Sequence, residues 1–141
     1  MQNNNLIGIG EDQVALNLLL VEDDSLTASV LEYLFIKHGF HVQLALDGDE
    51  ARAAIQPNLK PPHVVLLDLN LPFVDGYELL QLVRSTAGWQ HVPVLILSGK
   101  SQEEDVVRAF KLGASDFMPK PFYPNELIMR IMRFKNEGMI K

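Results

Sequence analysis

A chain of 141 residues, 48% hydrophobic and 21% charged, has room for one domain of ordinary size around a single core. It has no cysteine, which excludes disulfide scaffolds, cysteine-ligated zinc and thiol catalysis and fits a reducing compartment. Twelve Lys and Arg against eighteen Asp and Glu give a net charge of −6, which disfavours direct nucleic-acid binding.

Met1-Gln-Asn-Asn-Asn5 carries neither a positive n-region nor an apolar h-region, so no secretory signal is expected and a cytoplasmic location is. Residues 1–14 show no periodicity and read as a flexible N-terminal extension. Asn17 to Val21 is a short apolar run, well below the roughly 18 residues a membrane helix needs. It runs into Glu22-Asp23-Asp24 and then a helical pattern over 25–38, with Asp24 or Ser25 as cap and Gly39 as C′ residue. Residues 41–46 predict a second strand and 47–56 a second helix, closed by Pro57. After the breaker Asn58-Leu-Lys-Pro-Pro62, residues 63–67 contain Val-Val-Leu-Leu, the pattern of a parallel strand covered on both faces.

Asp68 follows at once, then a loop with Pro72 and Gly76 and a third helix to about Ser85. Residues 86–91 read as a polar turn holding the sole tryptophan, Trp89. Residues 93–97 predict a fourth strand, 102–112 a fourth helix ending at Gly113, and 115–118 a short fifth strand. Pro124 suits the first position of a last helix reaching Asn136. Within it Leu127, Ile128, Ile131 and Phe134 form the inward stripe, leaving Met129 or Met132 partly exposed as a partner or self-association face. The basic residues of 120–141 read as helix-end cations set against the helix dipole. Strands alternating with helices of this length predict right-handed βαβ units and a doubly wound parallel α/β sheet.

The polar residues fall where the strands stop. The first strand runs into Glu22 and Asp23, the third into Asp68, the fourth into Ser98, and the fifth reaches Lys120. In a parallel sheet these ends share one edge, where ligand crevices form. Singly, each has an ordinary structural explanation as a helix cap, a turn residue or an exposed loop cation. Together they crowd carboxylates that repel unless a cation or proton offsets them. Hard oxygen ligands suit magnesium, an ammonium and a hydroxyl suit phosphoryl oxygens, and a carboxylate can act as nucleophile to become an acyl phosphate.

Four motifs in order carry a family resemblance: Leu19-Leu-Val-Glu22-Asp23-Asp24, Asp68-Leu-Asn70-Leu-Pro72 with Asp75-Gly76, Ser98-Gly99, and Lys120-Pro121-Phe122 after Gly113-Ala114. From about Asn17 to Asn136 the chain resembles the receiver domain of bacterial two-component response regulators, the CheY-like fold. The resemblance implies a (βα)5 flavodoxin-like sheet of strand order 2-1-3-4-5, with residues 15–137 as receiver domain and 138–141 as C-terminal tail. It implies that Asp68 is the phosphoacceptor and a Mg2+ ligand, that Asp23 ligates Mg2+ directly, that Glu22 acts through a water, and that Asn70 offers its backbone carbonyl. Ser98 matches the switch hydroxyl and Lys120 the lysine that pairs with the acceptor. Phe117 matches the aromatic that turns inward on activation, without the hydroxyl of the commoner Tyr. The Lys120-Pro121 peptide is expected to be cis, and Lys100, two residues past Ser98, is expected to influence phosphate loss.

The implied partners are a sensor histidine kinase or histidine phosphotransfer protein and a downstream protein, with a homodimer through the fourth and fifth helices as a candidate and no membrane association. Such a protein catalyses only its own phosphorylation and dephosphorylation, either standing alone or as part of a longer chain. A haloacid-dehalogenase-like phosphatase would need an acid where Asn70 stands, and Gly8-Ile-Gly10 precedes the first strand and lacks the third glycine of a dinucleotide loop. His38, His41, His63 and His91 form no H-E-x-x-H pair, and Ser98 lacks a nucleophile elbow. The competing reading is a receiver-shaped docking or dimerisation module that works without phosphate.

Overall fold

In the computed structural model, residues 15–140 are described, and the expected extension over 1–14 lies outside them. The elements alternate without exception: β1 Leu16–Val21, α1 Ser25–Lys37, β2 Phe40–Ala45, α2 Gly48–Ala54, β3 Val64–Leu67, α3 Gly76–Ser85, β4 Val94–Ser98, α4 Glu103–Lys111, β5 Asp116–Pro119 and α5 Pro124–Asn136. The five strands pair in parallel in the order β2-β1-β3-β4-β5. The chain thus steps outward from β1 to β2 and returns to the far side at β3, which makes the gap beyond β1 and β3 the topological switch point.

Register brings the strand ends level. Val21 pairs with both Ala45 and Leu67, Leu67 with Ile96, and Ser98 with Pro119. Side chains alternate between two cores, as strand geometry requires. Leu19, Val21, Val65, Leu67, Val94 and Ile96 join one cluster with Leu80 and Val83 of α3. Leu18, Leu20, Leu66, Leu95 and Leu97 join the other with Leu31 and Phe35 of α1 and Leu127, Ile131 and Phe134 of α5. The central strands are apolar on both sides because helices cover both faces. Beyond α5, Met139 and Ile140 pack against the second cluster. Among the described residues, no helix is long and apolar enough to cross a membrane.

Local signals place the helices. Asp24, Asp47 and Asp75 each accept a first-turn backbone N–H, from Thr27, Glu50 and Tyr77 respectively. Gly39, just past α1, has φ +90°, the left-handed conformation that ends a helix most cheaply at glycine. Helix α2 stops at Ala54, two residues short of its expected end, because Ile55 turns out of the helix and buries to 3% exposure. Residues 86–91 form the expected turn, with 87, 88, 90 and 91 exposed, while the Trp89 indole is 1% exposed and its Nε1–H donates to Gln56 O at 3.0 Å. A buried indole needs such an acceptor, and the α2–β3 loop supplies it. At the opposite edge from the strand ends, His63 Nδ1 accepts the Asn17 N–H at 2.9 Å. Burial and the charge of Lys60 hold the ring below its usual pKa, in the neutral form that bond requires.

Arg84, in the last turn of α3, ties three loop carbonyls together. Its Nε and Nη2 both donate to Gly113 O, at 3.0 and 2.7 Å, while Nη1 donates to Val92 O at 2.7 Å and Gln90 O at 3.1 Å. The planar fork ties the loop before β4 to the loop before β5, a geometry lysine cannot copy. Arg84→Lys is expected to lower unfolding stability by about 1–3 kcal/mol in urea melts. Magnesium affinity should stay unchanged, because the staple lies away from the strand ends where the acidic residues stand.

Candidate functional site

The level strand ends assemble the expected residues in one cleft. Glu22 follows β1 and is 2% exposed, Asp68 follows β3 and is 6% exposed, and Asp23, next in the chain after Glu22, is exposed. Carboxylate oxygens of Glu22, Asp23 and Asp68 all lie within 4.8 Å of one another. Asp24, the third of the acidic run, instead caps α1, its backbone N–H donating to Glu22 Oε2 at 3.2 Å. The sequence left Asp24 or Ser25 as cap, and the structure selects Asp24.

Lys120 enters from the end of β5. Its Nζ donates to Glu22 Oε1 at 2.7 Å and to Asp68 Oδ2 at 3.0 Å. The other Asp68 oxygen, Oδ1, accepts the Asn70 N–H at 3.0 Å, so both oxygens of this carboxylate are positioned. The Lys120–Pro121 peptide is cis, as the resemblance implied. Gly76 lets α3 start directly against this turn: a Cβ there would come within 2.4 Å of Leu69 Cα and 2.6 Å of Asp68 O. No side chain fits such an approach without moving the backbone that carries Asp68.

The charges answer to burial first. Burial raises the Glu22 carboxyl above its usual pKa; hydrogen bonding and charge from Lys120 pull it back only in part, and Asp68 pushes it up again. Burial alone would lower the Lys120 ammonium, but its bonds to Glu22 and Asp68 outweigh that and raise it. Three carboxylates facing one lysine leave a surplus of negative charge. Hard oxygen donors on an open, negative cleft fit a divalent cation of the magnesium type, which retains waters beside a few carboxylates.

Ser98 is fully buried at the end of β4, with Oγ accepting the Lys100 N–H at 3.1 Å. Phe117 already lies inward in this structure, 8% exposed within the first core cluster. On α5, Leu127, Ile128, Ile131 and Phe134 point inward, Met132 is partly buried and Met129 is 66% exposed, as the pattern predicted. The Lys100 ammonium lies 4.0 Å from Asp105 Oδ1 and 5.6 Å from the centre of the Tyr77 ring. The sequence reading missed Tyr77 and Asp105, since each looked like an ordinary first-turn helix residue. Only their meeting across α3 and α4 marks them.

Comparison with known proteins agrees with this geometry. The response regulator receiver domain family model matches residues 18–132. The chain belongs to that family. This receiver domain is therefore a phosphoacceptor switch of two-component signalling, not an enzyme that turns over an external substrate. It is 40% identical over 116 residues to the cell cycle response regulator CtrA of Brucella ovis, covering 82% of this chain and 48% of that protein. The receiver domain thus spans about half the length of the curated relatives it matches. Among solved structures, the receiver domain of the sensor histidine kinase PA1611 from Pseudomonas aeruginosa, with magnesium in its active-site cleft, is 29% identical with a TM-score of 0.75, covering 85% of this chain and 97% of that one. CheY4 of Vibrio cholerae is 26% identical with a TM-score of 0.78, covering 85% of this chain and 98% of that one. Receiver domains work with histidine kinases, so a kinase partner follows at the level of the family.

Proposed function

We propose that Asp68 accepts a phosphoryl group from the phosphohistidine of a sensor histidine kinase or histidine phosphotransfer protein. The observation that carries this is the pinning of Asp68 at the switch point, with Lys120 on one oxygen, the Asn70 amide on the other, and Glu22 and Asp23 alongside. Asp23, exposed to the cleft, and Asp68 would hold magnesium directly, Glu22 would act through a water, and Asn70 would contribute its backbone carbonyl. When bound, magnesium supplies positive charge to the phosphoryl oxygens.

The residues of the chain do the rest. An Asp68 oxygen attacks phosphorus, the P–N bond of the donor breaks, and the leaving imidazole takes up a proton. Lys120 then offsets the charge of the new acyl phosphate, and Ser98 turns its hydroxyl to a phosphoryl oxygen. Ser98, Phe117 and the α4–β5–α5 face are thereby biased toward a second arrangement that a downstream protein or a second copy reads. Val107 and Phe110 on α4 and Met129 on α5 are exposed and supply that face with apolar contacts. We take 15–137 as the receiver unit, 138–141 as its tail, and the cytoplasm as its place of action.

Asp68→Asn is expected to abolish labelling by acetyl phosphate or a cognate kinase while leaving the far-UV circular dichroism spectrum intact. Undiminished labelling of that variant would overturn the assignment and favour a docking module that works without phosphate. The metal roles separate in a second comparison by magnesium titration. Asp23→Ala should weaken magnesium binding by about tenfold or more and Glu22→Ala by less, since a direct ligand outweighs a water-mediated one.

A further inference from the structure

A second polar network lies beside the acidic cleft, around Tyr77 in the first turn of α3. The tyrosine is 2% exposed. Its hydroxyl donates to Asp105 O at 3.2 Å and lies 3.5 Å from Asp105 Oδ1. The Arg108 guanidinium carbon sits 4.0 Å from the ring centre and the Lys100 ammonium 5.6 Å from it. Asp105 has a further task, because its Oδ2 accepts the Gln102 N–H at 3.1 Å and so caps α4. Lys100, Gln102, Asp105 and Arg108 all belong to the segment that leaves Ser98. Tyr77 alone comes from another element, so it fastens that segment to α3.

The segment starts at the one hydroxyl that ends β4. Ser98 Oγ is engaged by the Lys100 N–H. A phosphoryl group on the neighbouring strand end adds about −1.5 to −2 of charge and three strong acceptor oxygens. Turning the Ser98 hydroxyl toward those oxygens disturbs its bond to the Lys100 amide. The new charge also attracts the Lys100 ammonium, whose contact with Asp105 is long, at 4.0 Å, and whose side chain is 52% exposed. Both effects pull the β4–α4 loop off its present seat. The Tyr77 hydroxyl and ring resist, because they hold Asp105, Arg108 and Lys100 where they are.

We propose that Tyr77 is a positioning residue that fastens the β4–α4 loop in the arrangement where the Lys100 amide holds Ser98 Oγ, and thereby lowers the affinity of the site for a phosphoryl group. This rests on the reading of Asp68 as phosphoacceptor. A contact made in one arrangement and lost in the other shifts the equilibrium between them, so its removal must favour ligands of the second arrangement.

The test titrates beryllium fluoride, an acyl-phosphate mimic, in saturating magnesium, followed by fluorine NMR, beside urea melts without it. Three proteins are compared: wild type, Tyr77→Phe, which keeps the ring, and Tyr77→Leu, which also removes the surface beneath the two cations. Tyr77→Phe is expected to be less stable without beryllium fluoride yet to bind it about three- to tenfold more tightly, as loss of one hydrogen bond allows. Tyr77→Leu should tighten binding further. Reduced stability with unchanged affinity would overturn the proposal, since the hydroxyl would then serve both arrangements equally. Weaker binding would overturn it too, by placing the contact in the phosphorylated arrangement. Failure of the wild type to bind would instead defeat the phosphoacceptor reading itself, and this proposal with it.

Discussion

One ammonium holds two buried carboxylates at the end of the central strands. Lys120 Nζ bonds to Glu22 at 2.7 Å and to Asp68 at 3.0 Å, with the lysine side chain 23% exposed and those of the two acids 2% and 7%. Removing one partner of a buried ion pair commonly costs about 3–5 kcal/mol, because the other charge stays behind without compensation. Here the loss of the lysine would leave two acids facing each other with Asp23 nearby. The arrangement is therefore poised: neutral enough to fold, and negative enough to attract a divalent cation.

The sheet exists in the form that makes this possible. Lys120 and Glu22 are 98 residues apart in the chain, yet meet because β5 and β1 end on the same edge of one parallel sheet. Parallel pairing in the order β2-β1-β3-β4-β5 puts Asp68 at the centre of that edge, with Glu22 on one side and Ser98 on the other. Small details preserve the placement. Gly76 lets α3 start against the Asp68–Leu69 backbone, the Asn70 amide fixes one Asp68 oxygen, and Arg84 staples the loops that precede β4 and β5. What reads as helix packing is also what aims the carboxylate.

Much of this was legible in the residues, for identifiable reasons. Apolar runs of strand length, each ending in a charged or hydroxyl residue, report a sheet covered on both faces with one polar edge, and Asp24, Gly39, Gly113 and Pro124 mark helix ends by local chemistry alone. The wide apolar stripe of α5 resolved as its spacing implied, with Met129 left outside. The turn that carries Trp89 was legible in its polar neighbours, and the burial of the indole was not. Its burial depends on an acceptor, Gln56 O, that lies 33 residues away, which no local pattern can report. The Tyr77–Asp105 contact was invisible for the same reason, since it exists only through the packing of α3 against α4. Sequence shows what one element does by itself, and meetings between elements remain for the structure.

The central claim is that Lys120 and a divalent cation share the task of neutralising the same acidic cluster. The most direct measurement is the thermal melting of Lys120→Met beside wild type, each with and without saturating magnesium. Without magnesium the variant should melt well below wild type. Magnesium should raise its melting temperature by more than it raises that of wild type, because the cation then compensates carboxylates that the lysine no longer holds. A variant that melts with wild type in the absence of magnesium, or that gains no more from the ion than wild type does, would contradict the account.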